Sequence, residues 1–312
     1  MARSSIRWKG VFPAVTTPFA PDLSIDHEAF ARHLDWLVKS GADGIVVAAA
    51  TGEGFTLSAD EQRDLLATAT YSIAGRVPLV ATVGAAATAE AVSLARAAAT
   101  GGADAIMVLP PYLYAAGWRE ISAHFCAVVG ATPLACMLYN NPESFGTDLI
   151  PEQVVELADM PNVEAIKEGS GDISRVTALR HRLGDRLSVF IGFDDLIFDG
   201  VQAGAVGWVS GLGNALPVES MHLFELAESG RTEDARAFYE WFLPLLRLDV
   251  APNFVQLIKL VQSEVGRGTD RVRPPRLPLT DDDRDAVRAL LRERLACRPA
   301  FRIWRRSSHH PT

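Results

Sequence analysis

The chain has 312 residues, 48% of them hydrophobic, with a formal net charge of −8 and a pI near 5.4. That is enough apolar material for one large core or two ordinary ones. The acidic balance excludes the basic face that nucleic acid or an anionic membrane would need, and no apolar run reaches the ~18 residues of a spanning helix.

At the N-terminus, "MARSSIRWKG" is followed by the proline-interrupted "VFPAVTTPFAPD" rather than a continuous apolar segment, so no export signal is expected. Short apolar runs then recur at 10–19, 44–50, 77–83, 103–110, 132–140, 163–167, 187–192 and 205–211. Most are apolar throughout rather than alternating, which predicts parallel strands covered on both faces. Helix-length segments lie between them. One runs from Asp26 to Gly41 and another from Thr88 to Gly101, while Ser58–Ala59–Asp60–Glu61 forms a capping box and Pro151 opens a further helix. Eight such units predict an α/β fold, a (β/α)8 TIM barrel over 8–215. From Leu216 to residue 297 the pattern is helical, which predicts a C-terminal helical extension. The basic segment 298–312, with "RIWRRSSHH", is expected to be a solvated tail. Cys126, Cys136 and Cys297 show neither metal-ligand spacing nor an even framework, as expected of a cytoplasmic protein.

In a barrel, chemistry belongs at the C-terminal strand ends. Lys167, Tyr139, Thr51, Asp194 and Ser210 fall there. The chain has four lysines against twenty-six arginines, and Lys167 alone stands at a strand end. An amine there is either a nucleophile with a proton affinity reduced by dry surroundings or the ion-pair partner of Glu168 or another carboxylate. Tyr139 is either a proton relay or a ring packed under a loop. The small residues around Thr51 let backbone N–H groups approach a carboxylate.

"FPAVTTPF", "ATGE", "LPPY", "YNNP", "IKEGSGD" and the "GxDD" turn, in that order, resemble the dihydrodipicolinate synthase and N-acetylneuraminate lyase superfamily. The resemblance runs from about Trp8 to Leu279. It implies a homotetrameric class I barrel without metal or organic cofactor, acting on a small 2-oxo or 2-imino acid. Lys167 would then be the Schiff-base nucleophile, Tyr139 the proton relay and Thr51 the carboxylate holder. Ala50, Gly52, Tyr112, Gly192, Val209 and Ser210 would be substrate-binding positions. Tyr112 and Tyr114, after the fourth strand, would be candidates to reach a neighbouring subunit's site.

Three departures speak against the synthase itself: Ala50 replaces the first of its threonine pair, Leu113 a tyrosine, and Ser144 the arginine after "YN". The stretches 8–17, 137–148, 192–217 and 272–279 resemble the 1-pyrroline-4-hydroxy-2-carboxylate deaminases, and sugar-acid dehydratases share some of them. A deaminase is therefore the expected activity, with 5-keto-4-deoxyglucarate or 2-keto-3-deoxy sugar-acid dehydratase or aldolase as the alternative. A non-catalytic ligand-binding barrel is the alternative from another class.

Overall fold

The computed structural model describes residues 6–301, so the tail beyond Phe301 lies outside the described residues. Strands and helices alternate as β1 (Gly10–Pro13), α1 (His27–Lys39), β2 (Ile45–Val47), α2 (Ala59–Ile73), β3 (Leu79–Val83), α3 (Thr88–Thr100), β4 (Ala105–Val108), α4 (Trp118–Val129) and β5 (Ala135–Asn140). Two helices, α5 (Pro142–Phe145) and α6 (Pro151–Leu157), lead to β6 (Val163–Glu168). Then follow α7 (Ser174–Leu183), β7 (Ser188–Ile191), α8 (Ile197–Gln202) and β8 (Gly207–Ser210). The chain ends in α9 (Pro217–Glu228), α10 (Thr232–Leu246), α11 (Phe254–Glu264) and α12 (Asp281–Ala296).

Neighbouring strands pair in parallel, and β1 pairs with β8. The remaining gap, between β1 and β2, is spanned by a parallel bridge from Ala14 to Val46 and the hydrogen bond from Val15 N to the Val46 carbonyl at 2.9 Å. The expected (β/α)8 barrel with a helical C-terminal extension is what the chain forms. The helix starts read from sequence also hold: the Asp26 side chain caps α1, Ser58 and Glu61 form the capping box of α2, and Pro151 begins α6. Helix α9 packs against β1 and α8 and completes the outer ring, while α10, α11 and α12 pack beyond it.

Side-chain alternation divides the apolar residues into two cores. Val11, Ile45, Ile106, Leu138, Ile166 and Val189 face the helices. Phe12, Val46, Met107, Met137, Ala165, Phe190 and Val209 fill the barrel. Deep inside, Phe12 and Phe190 meet edge to face at 5.1 Å between centroids, with Trp8 beside both. These rings need space, and Gly44 and Gly207 provide it: a Cβ at either would lie 2.4 or 2.2 Å from a ring carbon.

Gly207→Ala therefore forces a methyl into a full layer. A loss of about 1–3 kcal/mol is expected from overpacking, measured as a lower urea midpoint with the slope unchanged; an unaltered midpoint would mean the aromatic layer is loosely packed.

Candidate active site

The parallel register of β5 and β6 sets Tyr139 directly beside Lys167. Both side chains point into the barrel near its C-terminal mouth, because they share the inward parity of Met137 and Ala165. The two are nearly inaccessible, at 6% for Lys167 and 4% for Tyr139. Lys167 Nζ lies 3.1 Å from the Tyr139 hydroxyl and 4.2 Å above its ring centroid.

The ion-pair alternative for Lys167 does not hold among the described residues. Glu168 has the opposite parity, and its carboxylate accepts from Ser170 N at 2.7 Å and Asn140 Nδ2 at 3.2 Å. Its burial holds that carboxyl above the usual range. No carboxylate reaches within ion-pair distance of Lys167 Nζ among the described residues. The space around the lysine stem comes from Gly192, just after β7: a Cβ there would stand 3.0 Å from Lys167 Cε. Tyr139 is fixed by an edge-to-face contact with Phe145 at 5.3 Å, and Asn141 Nδ2 stands 3.5 Å from its hydroxyl.

These groups open into a cavity of about 240 Å³ that Ala50, Thr51 and Gly192 also line. Thr51 is held there by a tight loop after β2. Ala48 and Glu53 both adopt left-handed backbone (φ 56°), and Gly54 packs so closely that a Cβ would lie 1.9 Å from the Ala48 carbonyl oxygen. The Thr17 hydroxyl donates to the Gly52 carbonyl at 2.6 Å.

Glu53 turns away from the cavity and ion-pairs with Lys259 of α11, both fully buried. The other Glu53 oxygen accepts from Arg273 N at 2.9 Å, and Lys259 also donates to the Arg271 carbonyl at 2.7 Å. Burial lowers the Lys259 ammonium to about 8, against the opposing pull of Glu53.

The other expected binding positions are distributed differently. Gly52 is buried in the loop behind Thr51, and Val209 lies in the barrel interior. Ser210 has the outward parity; its hydroxyl donates to Asp194 at 3.2 Å and accepts from Gly213 N at 2.9 Å. Tyr112 packs on Phe55 and Phe145, which in turn touches Tyr139, so one aromatic row joins the barrel axis to the outer surface. Tyr114 and Leu113 are exposed beside it.

Sequence reasoning missed much of the rim. Asn141, Glu143 and Phe193 line the cavity, as do Asp249 and Val250 to Pro252 from the segment between α10 and α11. The only cue for Asn141 and Glu143 is their place in "YNNPES". Asp249, in "LDVAPN", has no local cue.

Fold and site together define an enzyme, a lyase built on a (β/α)8 barrel. The chain belongs to the dihydrodipicolinate synthetase family, whose pattern matches residues 7–294. The 4-hydroxy-tetrahydrodipicolinate synthase of Xanthomonas campestris pv. campestris is 38% identical over 300 residues, covering 93% of this chain and 97% of that one. That of Halorhodospira halophila is 32% identical over 293 residues, covering 92% and 97%. Among solved structures, YagE, a prophage protein of the same family from E. coli K12 in complex with pyruvate, superposes with a TM-score of 0.88 at 28% identity, covering 93% of this chain and 99% of that one. The superfamily expected from the motifs is thus the family found. Among the described residues no helix is long and apolar enough to cross a membrane.

Lys259→Met leaves Glu53 buried without its cation. A loss of about 3–5 kcal/mol is expected, and the double variant Glu53→Gln/Lys259→Met is expected to recover most of it. Equal denaturation midpoints for the single and double variants would show that the pair is not what holds the loop.

Proposed function

We propose that this enzyme forms a Schiff base between Lys167 and C2 of a small 2-oxo or cyclic 2-imino acid carrying a C4 hydroxyl, and that it then eliminates that hydroxyl. The observation that carries this is the Lys167–Tyr139 contact at 3.1 Å in a barrel mouth where the amine has no counter-ion among the described residues. A lysine without a carboxylate partner is placed to attack, and a phenol at hydrogen-bond distance is placed to move protons. The pyruvate complex of YagE supports a 2-oxo acid as the ligand class. Thr51 and its neighbouring backbone, with Ala50 and Gly52, would hold the C1 carboxylate, and Gly192 would leave room for the adduct. Val209 would form the floor beneath the adduct, and Ser210 would act from behind it through Asp194.

The favoured substrate is 1-pyrroline-4-hydroxy-2-carboxylate. Attack of Lys167 at C2 opens the ring and leaves the former ring nitrogen as an amine on C5. Tyr139 removes the C3 proton, giving an enamine, and the C4 hydroxyl departs as water. Loss of a C5 proton and tautomerisation give a C5 imine. Hydrolysis there releases ammonia, and hydrolysis at C2 frees Lys167 and 2-oxoglutarate semialdehyde. One water is lost and two are consumed.

The lining favours this monoacid over a diacid. Lys167 is the one cationic side chain among the described residues that line the cavity, Ser144 stands where the synthase has arginine, and Glu143 and Asp249 supply carboxyls. A second carboxylate, as in 5-keto-4-deoxyglucarate, would meet the Glu143 charge with no cation to offset it, whereas the C5 amine would find a partner in Glu143. The aromatic row through Tyr112, with exposed Tyr114 beside it, is the surface through which a homotetramer would complete each site from a neighbour.

Two measurements test the proposal. Supplied with 1-pyrroline-4-hydroxy-2-carboxylate, 5-keto-4-deoxyglucarate and 2-keto-3-deoxy sugar acids, the enzyme is expected to release ammonia and 2-oxoglutarate semialdehyde from the first at the highest kcat/KM. Faster turnover of a diacid, or C3–C4 cleavage, would replace it with a dehydratase or an aldolase, and no turnover of any would favour a binding barrel.

Borohydride with pyruvate is expected to add mass at Lys167. Lys167→Arg, which stays protonated and cannot form an imine, is expected to abolish both trapping and turnover. Tyr139→Phe is expected to keep trapping while slowing turnover roughly 10²–10⁴-fold. Trapping in the Lys167→Arg variant would place the nucleophile elsewhere.

A further inference from the structure

The elimination needs an acid for the departing hydroxyl: Lys167, as an iminium, cannot supply it, a Tyr139 that has taken the C3 proton could return that proton, and a carboxyl on another wall of the cavity would be a donor independent of the C3 step. A carboxyl pair lies at the cavity wall. Asp194, in the turn after β7, is buried, and each of its oxygens accepts two hydrogen bonds. Trp208 Nε1 (2.8 Å) and Gly211 N (3.2 Å) serve one oxygen, and Leu212 N (2.7 Å) and Ser210 Oγ (3.2 Å) serve the other.

Asp249 comes from the short segment before α11 and lines the cavity together with Lys167 and Tyr139. Its carboxyl lies within hydrogen-bond reach of Asp194, and its Oδ1 is shut from solvent and meets no donor among the described residues. Gly211 makes the approach feasible, since a Cβ there would fall 1.7 Å from that oxygen. Two facing carboxylates repel each other, and a single proton between them removes the repulsion. The four donors of Asp194 favour charge there, which leaves the proton on Asp249.

We propose that Asp249 is the catalytic acid that protonates the departing C4 hydroxyl, with Asp194 as the fixed anion beside it. This rests on the dehydrating reaction proposed above. In the step, the Asp249 O–H bond breaks and its proton joins the C4 oxygen. The C4–O bond breaks with its electron pair going to the water that leaves. The enamine nitrogen lone pair moves to form C2=N⁺ while the former C2=C3 pair forms C3=C4. Asp249, now a carboxylate, regains a proton from the C5 position as the product tautomerises.

The electrostatics agree in direction. Burial, followed by the Asp194 charge, holds Asp249 well above the usual carboxyl range, with Asp195 adding to the rise and Lys167 opposing it. Asp194 itself is raised only to about 6, because its hydrogen bonds counter its burial. Both directions are those of a pair in which Asp249 is the member that keeps the proton.

The test is Asp249→Asn, which keeps size and a donor toward Asp194. The outcomes are read on the full chain. The variant is expected to keep wild-type pyruvate trapping at Lys167 while losing roughly 10²-fold or more in elimination, and to lack the fall in kcat with rising pH that is expected of the wild type as Asp249 ionises. Elimination within threefold of wild type would overturn the acid role alone. Loss of trapping along with turnover would also overturn it, placing Asp249 as a positioning residue for Lys167. If the wild type removes hydroxyl from none of the three substrate classes above, the dehydrating reaction and the acid role fail together. Carboxyl ¹³C shifts of labelled aspartate, compared between wild type and Asp249→Asn, give a reading independent of substrate: Asp249 is expected to be protonated at pH 7, and an ionised Asp249 would overturn the proposal.

Discussion

Everything at the mouth of this barrel depends on side-chain parity along eight closed strands. Closure at Ala14 and Val46 leaves no free edge, so no strand slips by one residue without turning its whole apolar set to the wrong side. Parity places Ile166 against the helices, Lys167 on the barrel axis and Glu168 outside again in three consecutive residues. The same rule on β5 brings Tyr139 inward at the level of Lys167, so the contact between amine and phenol follows from register rather than from any loop. The aromatic layer of Trp8, Phe12 and Phe190 then acts as a plug beneath the site, which keeps the lysine stem in apolar surroundings.

Loops complete what parity begins, and they are held by charge. The Thr51 turn contains two non-glycine residues in left-handed backbone, a conformation that costs free energy and persists only under external constraint. Glu53 supplies that constraint through Lys259 and the Arg273 backbone, and Arg273 reaches on to Glu61 in α2. Arg273 holds the Glu61 carboxyl down to about 2. The C-terminal helices are therefore part of the site's scaffold: they clamp the Thr51 loop from behind, and the segment between α10 and α11 brings Asp249 to the cavity wall.

Local patterns reveal local facts, which explains how much of this was legible in the sequence. The strands were, because fully covered parallel strands are apolar throughout, and so were the helix starts at Asp26, Ser58 and Pro151. Lys167 and Tyr139 stood out by their places at strand ends, although position alone left an ion-pair lysine and a tyrosine packed under a loop as open as the catalytic readings, and it took the motif resemblance to favour the latter. The Glu53–Lys259 pair was not legible: its members lie 206 residues apart, and each looks like an ordinary charge in a turn or a helix. Asp249 follows an amphipathic helix in a single 3-10 turn, Arg247–Val250, where an aspartate is an ordinary residue. Ser210 looked like a ligand for substrate because it ends a strand; its outward parity instead gives it to Asp194.

The glycine after β7 carries one more consequence. Gly192 is hemmed in by the lysine stem at 3.0 Å and by the Glu168 carbonyl and Gly169 Cα at 3.1 Å, so even a methyl there competes for the volume the amine occupies. An alanine at this position would press on the lysine stem and on two backbone atoms at once, so the amine could keep its place only if one of them gave way by a few tenths of an ångström. The room in which the lysine moves is thus set by the absence of one methyl group just past the end of the neighbouring strand.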